Sequence, residues 1–428
     1  MNSLYILNGN ARLQSNDALS YAYKTGRKVI PIFLDDTKIY PEGSASRWWY
    51  REIFRHIRND GIDGRYHMVR SSGEYLLILK QIITQNNVEE ILIHGIPRTN
   101  FLNAIESIRE NLNKFVNVKV FQSNNLLSVE QMLNMSVNYF NFSSFYKKID
   151  EMVVKHPYSD SCNTPEFISM SGENKQFTPR WENKLRRVWK PHMDYRDLIH
   201  NMELNDDKIE GTRISPYVSH GQIDVGVLWE YAKNLGKDGE KIKRNVAWRE
   251  FFYLSYLKRL NMDRVESNVK FRSFPWSDNS EGFLSWKSGS TGFSIVDAAM
   301  KQLWAEGWIS NELRMVTADF LTKCLMVKWD YGARWFMDTL VDADESVDYP
   351  SWQYISGVGG FSWPFFRIFN PIKKRYELDP ERKYTAKWLG KSDERSLEVK
   401  EKEQEELYRT MRKRALETYK SFSNSHPS

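Results

Sequence analysis

The sequence predicts an α/β parallel-sheet (Rossmann-like) N-terminal domain followed by a larger all-helical domain. Three observations carry this prediction. Short apolar runs alternate with helix-spaced segments as far as about residue 121, the pattern of a parallel layer wound by helices. Strand signals vanish after about residue 180, where apolar residues recur at helical spacing. Between them lies a polar stretch rich in Pro, Ser, Asn and Gly, from about Met152 to Pro179.

The elements follow in order. Residues 4–8 and 29–34 are apolar runs closed by polar or turn residues and read as strands. From Ser46 to Ile57 the spacing is helical, with a serine at the start. Helix-like 74–86, strand-like 90–94, helix-like 100–113 and strand-like 116–121 continue the alternation. A cofactor or nucleotide would sit at the C-terminal ends of such strands. No G-x-G-x-x-G or Walker loop supports a phosphate cradle there. In the helical half, Val246–Leu260 and Ile295–Trp308 are the clearest helices, and Ser396–Phe422 is a charged amphipathic helix expected on the surface. The expected boundaries are 1–130 for the α/β domain, 131–180 for a linker, 181–395 for the helical domain and 396–428 for the tail.

Composition narrows the chemistry. Of 428 residues, 41% are hydrophobic and 27% charged, as in a globular protein with ample core. No apolar run reaches the about 20 residues that span a bilayer, and Met1–Leu7 lacks a secretion signal's basic and apolar regions. Cys162 and Cys324 are the only cysteines, which excludes a disulfide scaffold, a four-cysteine zinc site and a cysteine-ligated iron–sulfur cluster. An intracellular setting is expected, cytoplasmic, or nuclear in a eukaryote. The net charge of +6 permits a polyanionic partner without a dominant basic block. Fifteen tryptophans exceed what a core requires.

Phe274 to Pro371 concentrates these aromatics beside Asp342-Ala-Asp344-Glu-Ser-Val-Asp348-Tyr-Pro-Ser-Trp352-Gln-Tyr354. Carboxylates two and six residues apart, with a Trp four further on, match neither a helix face nor an alternating strand. Acceptors packed this closely among aromatics suit a buried ring system with amine and hydroxyl donors, such as a flavin or its adenosine.

With these residues in view, the chain resembles the photolyase/cryptochrome family. The resemblance rests on Gly211-Thr212-Arg213-Ile214-Ser215, Trp248-Arg249-Glu-Phe, Phe274-Pro-Trp276, Trp286-Lys-Ser-Gly-Ser-Thr-Gly292, Val296-Asp-Ala-Ala-Met300, Gly307-Trp308 and Asn311-Glu-Leu-Arg314-Met315. The Asp block and Arg367-Ile-Phe-Asn370-Pro371 complete the series in order. The N-terminal match is weaker: Leu7–Leu19 stands where the family has W-F-R-x-D-L-R-x-x-D-N.

The resemblance implies a U-shaped FAD in the helical domain. Thr212 and Ser215, with Arg213 and Ile214, would bind its phosphates, and Arg249 would lie near flavin and phosphates. Asn311 and Arg314 would border adenine and isoalloxazine, while Asp342 and Asp344 would accept from ribityl or flavin groups. Trp352, Trp329 and Trp276 match the family's electron-transfer chain.

Departures from the family's pattern divide the functional reading. Asp348 stands at the position facing flavin N5, where photolyases carry Asn and plant-type cryptochromes carry Asp. A buried carboxyl there, its pKa raised by desolvation, could give a proton to the flavin. Tyr354 is also plant-cryptochrome-like. Trp248 and Met315 instead match positions that contact a cyclobutane pyrimidine dimer, in keeping with a pocket for flipped-out bases. Asn245 replaces a Glu that bonds the thymine edge, and its amide retains a donor and an acceptor. Glu312 replaces an Arg on a DNA phosphate and should weaken that contact; Arg367 remains available for phosphate. Ser310, Asn311 and Met315, standing where paired His would be, point away from (6-4) repair.

Two readings therefore stand, with a light-silent flavin protein as a third. One is a class I-like photolyase in which reduced FAD donates an electron to a cyclobutane dimer in damaged DNA. The other is a blue-light cryptochrome that signals to a protein partner. A monomer without metal is expected in either case. A folate or deazaflavin antenna stays unknown, because Ile96–Leu102 lacks the Asn-Glu pair expected there.

Overall fold

The structure is a computed structural model that describes all residues except 13–14, 40–43, 58–66, 72, 96–98, 123, 136–140, 154–164, 169–181, 192–208, 259–264, 361–363, 391–393 and 427–428. The described residues fall into two compact units. The first comprises 1–203, 214–258 and 341–346; the second comprises 204–213, 259–340 and 347–428.

A five-stranded parallel sheet organises the first unit. Its strands are β1 (Asn2–Ile6), β2 (Lys28–Asp36), β3 (His67–Ser71), β4 (Val88–His94) and β5 (Asn117–Phe121), in the order β3-β2-β1-β4-β5. Leu4 pairs with Ile30 on one side and with Ile91 on the other. Eight of the nine residues of β2 are buried, as in a sheet covered on both faces, which is why its sequence runs apolar instead of alternating. The covering helices are α1 (Asp17–Lys24), α2 (Ala45–Ile57), α3 (Tyr75–Gln85) and α4 (Thr99–Leu112). Leu79 and Ile108 pack fully buried in the same core as Leu4, Ile32 and Ile93. Each such side chain contributes about 1.5–3 kcal/mol over an exposed one.

The expected α/β alternation is present, with two elements added. Strand β3 was missed because His67-Met-Val-Arg-Ser71 has no apolar run; pairing with β2 makes it a strand. Helix α1 is short and starts on Asn16, whose side chain accepts from the Leu19 N–H at 3.1 Å.

After β5 the first unit continues as α5 (Val129–Asn134), α6 (Phe142–Met152), α7 (Glu182–Val188), α8 (Ser215–Ser219), α9 (Val225–Asn234) and α10 (Glu240–Lys258). Helix α6 thus occupies part of the stretch expected to be a linker. Phe142, Phe145 and Ile149 bury its apolar side, a helical spacing interrupted by Ser and Lys in sequence. Most of the remaining linker, including Cys162, lies outside the described residues.

Every described secondary-structure element of the second unit is helical. It holds α11 (Ser280–Ser288), α12 (Ser294–Glu306), α13 (Asn311–Asp319), α14 (Trp329–Thr339), α15 (Glu345–Ser356, shared at its first two residues with the first unit), α16 (Pro371–Leu378), α17 (Lys383–Leu389) and α18 (Glu394–Ser425). Helix α13 runs into one π-helical turn, Phe320–Cys324. There Asp319 and Lys323 form a fully buried ion pair at 2.7 Å. Asp319 also accepts from the Phe369 N–H at 2.8 Å, and Lys323 Nζ donates to the Arg367 carbonyl at 2.9 Å. The pair therefore leaves neither charge without a partner, the condition for tolerating buried ions. The tail helix α18 is charged as expected, but it also buries Tyr408, Ala415 and Phe422.

Candidate functional site

In the first unit, Ser215 Oγ donates to Asp342 Oδ2 at 2.5 Å. Asp342 is buried, as is Asp344, whose Oδ1 accepts from the Ser346 N–H and hydroxyl at 3.1 and 2.6 Å. Asp344 thereby serves the start of α15, where free N–H groups favour a carboxylate. The next residue, Glu345, accepts from the Thr99 N–H at 3.0 Å and from Tyr256 at 3.3 Å. Ser215 is the first residue of α8, a five-residue helix, as the sequence led one to expect of a helix start.

Arg249 extends from α10 and donates to the Asn124 carbonyl at 2.9 Å and to Glu250 at 3.0 Å. Glu250 is wholly buried, and burial raises its pKa against the pull of Arg249 and the amide of Asn125. Asn124 was absent from the sequence reading. Its amide bridges the carbonyls of Val218 and Ile223 and the N–H of Val225, locking the segment after α8. A single Asn in a loop carries no periodic signal by which to find it.

Trp248 is half-buried, and the ring of Phe142 lies parallel to it at 3.8 Å between centroids. Phe252 stacks more loosely at 5.3 Å. Asn245, one turn earlier, is exposed.

In the second unit, Gly211 and Arg213 both adopt left-handed backbone, with φ of +52° and +53°. Arg213 spends its guanidinium on Glu210 at 3.1 Å and Glu306 at 2.9 Å, and lies 5.0 Å from the ring of Trp308. Thr212 is half-buried between them, and Ile214, the next residue and part of the first unit, is half-buried too. Helix α13 presents Asn311 and Met315 on successive turns, with the Asn311 amide 3.7 Å from the Met315 sulfur. Arg314 donates to the Ile309 carbonyl at 3.0 Å. Glu312 is half-buried on the same helix. Ser310, at the N-cap, has a buried hydroxyl with no partner among the described residues.

Asp348 and Trp352 sit one turn apart on α15, both buried. The indole of Trp352 meets Phe336 at 5.0 Å and Trp286 at 6.2 Å, both edge-on. Trp329 is fully buried and donates its indole N–H to Glu266 at 3.1 Å. It lies one turn before Gly332 on α14, and a Cβ at Gly332 would collide with the Trp352 ring. That glycine brings the helix bearing Trp329 close to Trp352. Trp276 is half-buried and edge-on to Phe274 at 4.8 Å. The three tryptophans of the expected chain are not in ring contact with one another; Trp286 is the tryptophan in contact with Trp352. Tyr354 is half-buried, and burial raises its pKa against the nearby charge of Arg367. Arg367 itself is exposed, while its backbone is held by Lys323.

Each unit carries groups suited to a cofactor with N–H and hydroxyl donors: the buried acceptors Asp342 and Asp344 in the first, and in the second the buried Asp348, the packed indole of Trp352 and the Ser310 hydroxyl, which has no partner among the described residues.

Comparison with known proteins agrees. Residues 242–422 match the FAD binding domain of DNA photolyase, and residues 3–162 match DNA photolyase. The chain belongs to the photolyase/cryptochrome family, and its cofactor is FAD. It is 26% identical to a deoxyribodipyrimidine photo-lyase of Agrobacterium fabrum over 88% of this chain and 85% of the relative. Identity to cryptochrome-2 of Arabidopsis thaliana is also 26%, over 88% of this chain and 68% of that one. A bacterial class III photolyase from Agrobacterium tumefaciens shares the fold, with a TM-score of 0.81 at 23% identity over 99% of this chain and 98% of its own. No described helix is long and apolar enough to cross a membrane.

Proposed function

We propose that this chain is a light-driven, FAD-dependent lyase that repairs cyclobutane pyrimidine dimers in DNA. The carrying observation is the segment Asp342–Trp352, with three buried aspartates and a buried indole, inside the region that matches the FAD binding domain of DNA photolyase. When bound and reduced, FAD supplies a photo-excitable electron donor. The residues proposed to hold it are Ser215, Arg249, Asp342 and Asp344 in the first unit. In the second they are Thr212, Arg213, Asn311, Arg314 and Asp348, and Ile214 of the first unit completes the Thr212–Ser215 turn. Asp342 and Asp344 accept from N–H and hydroxyl groups, and Asp348 holds a proton for flavin N5. Trp352, Trp329 and Trp276 deliver electrons from the surface.

Lesion binding is assigned to Asn245, Trp248, Met315 and Tyr354, with Arg367 on a phosphate. Trp248 and Met315 are each half-buried, able to contact a base while anchored by packing. Over 88% of the chain a photo-lyase and a cryptochrome match at the same 26% identity, so these residues, more than that overall similarity, favour repair. Asp348 and Glu312 favour the second reading, a cryptochrome-type photoreceptor that signals through flavin photoreduction to a protein partner.

The test is blue-light repair of an oligonucleotide containing one thymine dimer by the reduced holoprotein, with a dark control. Light-dependent loss of the dimer is expected. No repair by fully reduced, FAD-loaded protein would overturn the proposal and leave signalling as the better account.

A further inference from the structure

The aromatic contacts of Trp352 lead to the surface along a line that the expected tryptophan chain does not use. Trp286 is fully buried and edge-on to Trp352 at 6.2 Å, and Phe336 touches both rings, at 5.0 Å from Trp352 and 6.0 Å from Trp286. On its far side Trp286 stacks with Phe283 at 6.1 Å and 18°. Phe283 in turn meets Tyr331 at 5.6 Å, and Tyr331 is 52% exposed. The row therefore runs from a buried indole to a phenol in contact with water.

We propose that Trp286 and Tyr331 form a second electron entry to Trp352, parallel to the one through Trp329 and Trp276. The proposal rests on the reading of Trp352 as the flavin's electron donor. Indole and phenol are the oxidisable side chains of the row, whereas a phenylalanine ring is not. Phe283 therefore serves as a tunnelling bridge, and the ammonium of Lys287, 5.5 Å from its centroid, further disfavours a positive charge resting there. Tunnelling falls off exponentially with the gap between rings, so an unbroken row of packed rings is the physical requirement.

The electron count closes. Trp352 loses one electron to the photoexcited cofactor and regains it from Trp286, which regains it from Tyr331. The oxidised phenol releases its proton to water and is left as a neutral radical. A thiol reductant in solution then returns one hydrogen atom to it. Water access makes the proton loss possible at Tyr331 and not at Trp286, whose N–H is bound to the Thr317 carbonyl at 3.0 Å inside the core. Proton loss traps the vacancy at the surface.

The experiment is flash photolysis of the oxidised holoprotein, with radicals identified by electron paramagnetic resonance after labelling with ring-deuterated tyrosine. In Trp329→Phe, which closes the first entry, a light-induced tyrosyl signal that narrows on deuteration is expected. It should be lost in Trp329→Phe/Tyr331→Phe, a change at an exposed ring that leaves the core intact. Absence of any tyrosyl radical in Trp329→Phe, or its persistence without Tyr331, would overturn the second entry. Trp352→Phe separates the two readings. If it retains full photoreduction, Trp352 is not the donor and the underlying assignment fails; if it abolishes photoreduction, that assignment stands whatever the result at Tyr331.

Discussion

Gly332→Ala tests the packing that brings Trp352 and α14 together. On helix propensity alone the change should stabilise, since alanine is favoured over glycine in a helix interior by about 1 kcal/mol. The surroundings reverse the sign. The added Cβ would sit 2.5 Å from Leu321 Cδ2 and 2.7 Å from Trp352 Cζ3, closer than real Cβ atoms come. Neither neighbour is a flexible surface side chain: Leu321 is fully buried, and Trp352 is 3% exposed and wedged by Trp286 and Phe336. Overpacking a rigid site costs about 1–3 kcal/mol, and a fused ring met at more than one atom belongs at the upper end. The expected net result is a loss of about 2 kcal/mol once the propensity gain is subtracted. Urea unfolding followed by tryptophan fluorescence measures it. The same change in a Trp352→Phe background, where the outer ring is gone, should cost about 1–2 kcal/mol less, a coupling of the size contacting residues show. A Gly332→Ala protein as stable as the parent, or more so, would refute the reasoning.

Other outcomes follow from the same geometry. Burial pushes His94 down to about 4 from its ordinary 6.5, so the folded chain carries it neutral where the unfolded chain would be protonated. Its contribution is therefore complete above pH 6.5 and is lost as the pH falls towards 4, by about 3 kcal/mol in total. Unfolding midpoints at pH 7 and pH 5 should differ less in His94→Gln than in the parent. Asp342→Asn should lower the fraction of FAD retained through gel filtration, read from flavin absorbance per polypeptide, whereas Ser215→Ala should lower it less because the carboxylate remains. Arg367→Ala should weaken binding to dimer-containing DNA and reduce the slope of log affinity against log salt by about 1, as expected when one phosphate contact is removed. An unchanged slope would place Arg367 off the DNA.

The sequence by itself determined the fold class, because alternation and helical spacing are local properties that each strand and helix carries with it. It also carried the residues of the proposed flavin site, Asp342, Asp344, Asp348 and Trp352, within one short segment, whereas the structure makes that segment helical from Glu345 and puts Asp348 and Trp352 on one helix face. Strand β3 escaped it, since that segment becomes a strand by pairing with β2 and not by its own propensity. So did helix α6, whose Phe142 stacks on a tryptophan more than a hundred residues away. Only the tertiary structure decided that Ser215 bonds Asp342, that Asp319 and Lys323 hold the backbone of the Arg367 segment, and that Trp286 is the indole against Trp352. These are choices of partner. A hydroxyl, a carboxylate or an indole states what it can bind, but which neighbour it finds depends on how distant elements pack, and no spacing along the chain records that.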